Sequence, residues 1–288
     1  MGSVIGVAIT FVMVFGGYVA AGGKIGIILH ALPFELMIIG GAAAGALIVA
    51  NDSHALKATL KDVARGLKGP HWKKDDYADL LALLFALIRV ARRDPVAVEA
   101  QIERPAESPL FRAYPRILAD AAAVALISDT IRMGTMNYDD PHQLEAVLDK
   151  QLDGKLAHDL HGSHALQVMA DGLPALGIVA AVLGVIKTMA SIDQPPEILG
   201  KMIGGALVGT FLGVFLSYGI VGPLANRIRS IIEGDHKFYE TIRDSMVANM
   251  HRHSPPICIE VARQNLPAAL RLNFDEMEAR LHAAQEAA

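Results

Sequence analysis

Apolar residues dominate four stretches of the chain: Val4–Gly22, Phe34–Ala50, Leu173–Ala190 and Ile203–Val221. Each has about the 17–25 residues a helix needs to cross a hydrocarbon core about 30 Å thick, and charge is nearly absent from all four. They stand two and two around a long charged segment. The pattern predicts an all-α integral membrane protein with four transmembrane helices and a helical cytoplasmic domain between the second and third. On this reading residues 1–50 hold the first two helices and a short periplasmic loop. Residues 51–172 form the cytoplasmic domain, 173–222 hold the third and fourth helices, and 223–288 form a C-terminal cytoplasmic helical segment.

Inside the middle segment, Asp76–Val90 reads DYADLLALLFALIRV, a broad apolar stripe at helical spacing. It is too short and too closely flanked by charge for a fifth span, so it is read as a helix of the domain. Asp94-Pro95 breaks it and opens a helix over Val96–Ile102, which stops before Arg104-Pro105. Pro115 precedes a helix Arg116–Met133, and a further helix, Pro141–His164, leads toward the membrane. After the fourth span, Asn226–Ala288 is polar and helical, interrupted at Pro255-Pro256 and Pro267, with Asp275–Ala288 expected to fray. No alternating strand pattern occurs.

Charge sets the orientation. Lys57, Lys61, Arg65 and Lys68 follow the second span, and Arg227, Arg229 and Lys237 follow the fourth. The loops Gly23–Pro33 and Ser191–Met202 hold only Lys24 and Lys201. The excess of Lys and Arg places both termini and the middle segment in the cytoplasm. The first apolar run has no basic stretch before it and three spans after it, so it is read as a retained helix. Composition agrees: 52% of residues are hydrophobic and 19% charged, which fits only if the two are segregated along the chain. A net charge of −4 gives no case for a nucleic-acid partner. The lone Cys258 excludes an internal disulfide and is read as a buried, reduced small residue.

Within the spans, Gly205, Gly209 and Gly213 recur at i, i+4, i+8, and Gly41 and Gly45 repeat the spacing in the second span. Such faces admit close approach of another backbone. Pro174 opens the third span and Pro223 closes the fourth, either as plain helix ends or as bends that free carbonyls at the cytoplasmic face. The Thr210 hydroxyl either back-bonds one turn earlier or faces a wet path. Lys187 is placed near the outer boundary, and Glu35 at the outer end of the second span. No carboxylate therefore falls in the middle of a span. A protein that moves protons or cations across a bilayer ordinarily needs one there; if this protein does so, the carboxylate must come from a second chain.

Nothing supports an enzyme. His158, His161 and His164 lie three apart and His251 and His253 flank Arg252, but no zincin motif or cysteine cluster accompanies them. They are read as solvated, with no metal site, and no phosphate loop follows a strand.

Four strings carry a resemblance: DGLPALGIVAAVLGVIKTMA in the third span, VGTFLGVFLSYGIVGPLA in the fourth, ERPAESPLFRAYPRILAD in the middle segment and HSPPICIEVARQNL near the end. In order and over essentially the whole chain, they resemble the A subunit of the bacterial flagellar motor stator, the MotA family. The resemblance implies an inner-membrane homo-oligomer of five A subunits around two B subunits. The single span of each B subunit supplies the ion-accepting Asp, and B anchors to peptidoglycan. Ion flow turns the A ring, and the 51–172 domain exerts torque on the rotor switch protein of the flagellar base. No cofactor is implied.

By the same resemblance Pro174, Thr210 and Pro223 match ion-pathway and conformational positions. Ala181 matches the place where sodium-driven relatives have a hydroxyl. Alanine offers no oxygen ligand, so the coupling ion is expected to be H+, with Na+ the alternative. Glu99 matches an acidic rotor-facing position. The basic partner is one of Arg89, Arg92 and Arg93, because Arg92 falls one residue too close and the ungapped equivalent is Ala91. Two further readings stand beside the motor: an energising subunit of outer-membrane transport of the ExbB/TolQ type, and a passive membrane scaffold.

Overall fold

The computed structural model describes residues 2–135 and 140–286, which contain helices and connecting turns and no strand. Helices α1 (Gly2–Phe11) and α2 (Gly17–Ala20) flank a π segment, Val12–Gly16. The chain reverses at Gly22, whose φ of +85° costs glycine nothing. Helix α3 (Ile25–Ala50) begins well before the expected Phe34 and takes Pro33 into its interior. A proline there leaves one carbonyl without its helical donor, a loss that membrane helices tolerate where neighbouring groups compensate.

Helix α4 (Ser53–Lys68) was not anticipated from its basic cluster. Asp52 caps it, accepting from the Ala55 amide at 2.7 Å, and Gly69 (φ +96°) ends it. A methyl on Gly66 of α4 would stand 2.7 Å from Ile228 Cγ1, and Arg227 Nε donates to the Gly66 carbonyl at 2.9 Å.

Helices α5 (Lys74–Arg93), α6 (Pro95–Glu103), α7 (Pro109–Arg112), α8 (Pro115–Leu118) and α9 (Ala121–Thr135) follow. Proline stands in the first turn of α6, α7 and α8, where its missing N–H is harmless. The expected helix Arg116–Met133 is instead two. Asp120 ends α8's turn and starts α9, accepting from the Ala123 amide at 2.9 Å and from the Tyr239 hydroxyl at 2.9 Å. An aspartate able to cap outcompetes helix continuation at that point.

Helix α10 (Pro141–Met189) runs 49 residues without a break, so the expected Pro141–His164 helix and third span are one element. Pro174 lies inside it and marks no helix end. Helix α11 (Pro196–Leu216), a π segment Ser217–Val221 and α12 (Gly222–Met250) likewise form one helical run. Pro223 therefore closes no helix. Its ring displaces the carbonyl four residues earlier, and the π segment just before it widens the ladder to make room. Helices α13 (Pro255–Asn265) and α14 (Phe274–Glu286) complete the chain. The expected fraying of Asp275–Ala288 is corrected for α14, where Met277 is buried, Glu276 pairs with Lys74 at 3.0 Å and Arg280 with Asp79 at 3.3 Å. Residues 287–288 lie outside the described residues.

The chain divides into two compact units, one of Met1–Gly69 and Asp159–Ile231, the other of Pro70–His158 and Ile232–Ala288. Three helical runs are long and apolar enough to cross a membrane: Ile25–Ala50, Pro141–Met189 and Pro196–Met250. Val4–Ala20 is a shorter apolar run. In the first unit Ile39, Ala43, Leu173, Ala180 and Leu212 form the core, and Phe11, Phe15, Phe211 and Phe215 pack as a cluster with centroids 5.1–5.9 Å apart. Other large apolar side chains there, including Ile5, Met37, Val49 and Ile178, are exposed. That surface suits lipid or neighbouring subunits and not water.

In the second unit α5 is the central element. From Tyr77 to Ile88 every side chain but Asp79 is buried. The broad stripe of DYADLLALLFALIRV is thus a helix covered on all sides by protein. Cys258 is fully buried against it, and burial pushes its thiol upward, which keeps it protonated and inert.

Candidate functional site

Helices α10 and α11 of the first unit meet in a tightly packed seam. A methyl on Gly177 would lie 2.9 Å from the Gly209 carbonyl oxygen and 3.0 Å from Gly213 Cα. One on Gly213 would lie 2.6 Å from the Leu173 oxygen, and one on Gly184 would lie 2.6 Å from Ala206 Cβ. Glycine is needed at these positions because the two backbones touch. The expected small-residue face thus works at Gly209 and Gly213. Gly205 makes only ordinary contact, 3.9 Å from Ala31 Cβ to a methyl built there, and Gly41 and Gly45 meet nothing within 4 Å.

Three of the sequence-predicted pathway residues sit along this seam. Pro174 is half-buried in α10, one residue beyond the buried Leu173. Ala181 is half-buried, and its amide nitrogen would stand 3.2 Å from a methyl on Gly209. Thr210 is half-buried beside Gly209, and among the described residues its hydroxyl has no hydrogen-bond partner. The local back-bond is thus not made, whereas Thr188 and Thr10 do make theirs, at 2.9 and 3.0 Å. Pro223 is exposed in the first turn of α12 and is not part of this layer.

One member of the site was misplaced by the sequence reading. Glu35 is not at the end of a span. It lies ten residues into α3, about 15 Å from the helix start. Its side chain is 7% exposed, and its Oε2 has no hydrogen-bond partner among the described residues. A methyl on Gly209 would stand 2.7 Å from that oxygen, 3.1 Å from Ala180 Cβ and 3.2 Å from the Ala181 nitrogen. The carboxyl of Glu35 therefore closes on the same spot as Ala181 and Gly209. The structure thus corrects the placement of Glu35 at a helix end: the apolar helix Ile25–Ala50 carries it within. The second apolar stretch reads as beginning at Phe34, whereas the helix begins nine residues earlier, at Ile25.

The charges expected to face a rotor lie in the second unit. Arg89 and Arg93 on α5 and Glu99 on α6 are exposed and make no ion pair with any described residue. Arg92 differs. It donates to Asn249 Oδ1 at 2.9 and 2.8 Å, to the Asn249 carbonyl at 3.4 Å and to the His253 carbonyl. That fork holds the turn after α12 against the last turn of α5, so Arg92 has a structural task that Arg89 and Arg93 lack. Among the described residues no group of His, Cys, Asp and Glu is placed to hold a metal ion.

Comparison with known proteins agrees with this arrangement. Residues 4–95 match the family described as Motility protein A N-terminal, and residues 115–241 match the MotA/TolQ/ExbB proton channel family. Motility protein A of Salmonella typhimurium is 39% identical over 274 residues, covering 94% of this chain and 91% of that protein. The chemotaxis protein LafT of Vibrio parahaemolyticus is 36% identical over 275 residues, covering 95% and 96%. Among solved structures, the flagellar MotAB stator complex from Bacillus subtilis has a TM-score of 0.72 at 22% identity, covering 94% of this chain and 98% of that one. C. jejuni MotAB has a TM-score of 0.73 at 17% identity, covering 95% and 98%. These two establish the fold, and the sequence matches establish the kinship. The chain belongs to the motility protein A family, the stator subunits of the flagellar motor within the MotA/TolQ/ExbB proton channel family.

Proposed function

We propose that this chain is the ion-conducting A subunit of a flagellar stator, coupled to protons, that works as a ring of five copies around two single-span B subunits in the bacterial inner membrane. Four segments span the bilayer, with Val4–Ala20 the first, and both termini are cytoplasmic. The second unit, Pro70–His158 with Ile232–Ala288, is the cytoplasmic torque-bearing part. The peptidoglycan-anchored B subunit contributes the Asp of its span.

The observation that carries the reading is the α10–α11 seam. The two strings that match the family meet there backbone to backbone, and Thr210, whose hydroxyl has no partner among the described residues, follows Gly209 in sequence. A seam with nothing larger than a methyl between its helices at these contacts moves as one wall. Protonation of a neighbouring carboxylate changes which surroundings that carboxyl prefers, and so which angular position against the wall is lowest in energy. Pro174 and Pro223 bound the moving part. Ala181 supports H+ over Na+, since sodium needs several oxygen donors to replace its water and a methyl supplies none.

Swimming speed tests the ion. Cells whose only stator is this A subunit with its B subunit are expected to swim unchanged in sodium-free medium and to stop when a protonophore collapses the proton gradient. Sodium-dependent swimming would move the coupling to Na+, and swimming indifferent to both ions would leave only the scaffold reading.

The exposed, unpaired Glu99, with Arg89 and Arg93, supports contact with the rotor switch protein. Glu99→Lys is expected to lower stall torque while leaving the A–B complex intact on co-purification, with partial recovery by a compensating charge change on the rotor. Unchanged torque would remove Glu99 from that surface.

A further inference from the structure

Glu35 and Asp62 are buried carboxyls of the first unit that the proposed mechanism leaves without a task, and of the two Glu35 stands on a helix apolar enough to cross a membrane. It stands in the interior of α3, its side chain is buried, and its Oε2 has no hydrogen-bond partner among the described residues. An acid left so in a hydrocarbon setting is expensive, and such groups face pathways or cavities far more often than lipid. Small residues surround it: Ala180 and Ala181 on α10 and Gly209 on α11. None of them can donate through a side chain or supply a counter-charge. On its own helix the nearest titratable group is His30, exposed and more than a turn nearer the helix start. On α10 the nearest is Lys187, exposed and about two turns beyond Ala181. On α11, Glu197 and Lys201 lie in the first two turns and are exposed. Thr210 follows Gly209 in sequence on α11, and its hydroxyl also has no hydrogen-bond partner among the described residues.

We propose that Glu35 is a second, accessory proton-exchanging group of the stator, supplied by the A subunit itself where α3 meets Ala180, Ala181 and Gly209. The inference rests on the proton-conducting reading above. The step is simple acid–base exchange with water in the path: the carboxylate takes a proton from hydronium, releasing water, and returns it to water in the reverse step. No electrons move and no bond to carbon changes. The group adds one titration to the pH dependence of ion flow and does not replace the partner's Asp. A carboxyl serves this purpose because it both accepts and donates, whereas the Thr210 hydroxyl only relays.

The test uses the complete A–B complex in cells lacking other stators, with Glu35→Gln and Glu35→Asp, read by swimming speed and by proton conductance across external pH. The Gln variant is expected to co-purify with B, to keep conducting, and to lose one titration step from the wild-type profile. The Asp variant is expected to keep that step at a displaced pH. In infrared difference spectra between acidic and alkaline buffer, one carboxyl C=O band is expected to vanish in the Gln variant and shift in the Asp variant. A Gln variant with the wild-type pH profile and the full set of carboxyl bands overturns the proposal. Should the Gln variant fail to assemble, the Asp variant decides: an unchanged profile and spectrum assign Glu35 a packing role and overturn it. If wild-type swimming ignores the protonophore, the proton-conducting reading falls and this inference with it. If wild type responds and only the Glu35 variants match it in every respect, this inference falls alone.

Discussion

Gly213→Val is expected to leave cells non-motile. The first methyl atom alone would lie 2.6 Å from the Leu173 carbonyl oxygen, 2.8 Å from Gly177 Cα and 3.1 Å from the Gly177 nitrogen. All three are backbone atoms, so no rotamer change relieves the overlap. Valine adds two further methyls, and α10 and α11 must part. Overpacking in a tight core costs roughly 1–3 kcal/mol in soluble proteins. In a bilayer the parted helices gain no penalty from exposing apolar surface, because lipid solvates it as well as protein does. The seam therefore opens instead of straining. The expected readouts are loss of swimming and loss of B from the purified complex. Gly200→Ala on the same helix is the control, since a methyl there meets nothing within 4 Å, and it is expected to swim normally. A motile Gly213→Val strain would show that the seam is not a rigid wall.

The same seam shows what a linear sequence discloses and what it hides. The glycine spacing of α11 announced a close helix contact, but not its partner. Which face meets α10, and that Gly41 and Gly45 meet nothing within the chain, depends on the placement of whole helices. Periodicity served best where one element decides its own fate. DYADLLALLFALIRV is apolar on so broad a face that it had to be buried, and its acidic flank kept it from being a span.

Proline and aspartate were harder to read, because each has two uses. Pro174 was open to a reading as a plain helix end but lies inside a helix, as Pro33 does. Asp120 looked like an interior residue and is a cap. Starting the second apolar stretch at Phe34 moved Glu35 from the interior of a helix to its edge and concealed the most chemically unusual side chain of the unit. Arg92 was one of three equivalent arginines by spacing. Only the fold shows that it is committed to Asn249 and His253 while Arg89 and Arg93 remain open.

Trp72→Ala is expected to produce the largest loss of stability in the second unit. Trp72 is 3% exposed and stacks on Phe238 with centroids 3.8 Å apart and planes 6° from parallel. Tyr77 meets the edge of that Phe238 at 5.4 Å, and the Arg116 guanidinium lies 5.9 Å from the indole centroid. The backbone is held as firmly as the ring. Asp235 accepts from the amides of His71 at 2.9 Å and Trp72 at 3.1 Å, and Arg116 donates to the His71 carbonyl at 2.8 Å while pairing with Asp76. A site clamped on this many sides collapses poorly around a void. The loss therefore belongs at the upper part of the range for aromatic-to-alanine changes, about 3–5 kcal/mol. Phe238 loses its stacking face, and α5 loses the packing at its N-terminal end. The exposed Arg89, Arg93 and Glu99 depend on α5 and α6 for their position, so torque should fall along with the thermal midpoint of the detergent-solubilised protein. Val96→Ala removes a side chain that is 74% exposed in the same unit and should leave the midpoint unchanged. Equal melting of the two variants would mean that the Trp72–Phe238 stack is peripheral and that the leucines of α5 alone hold the unit together.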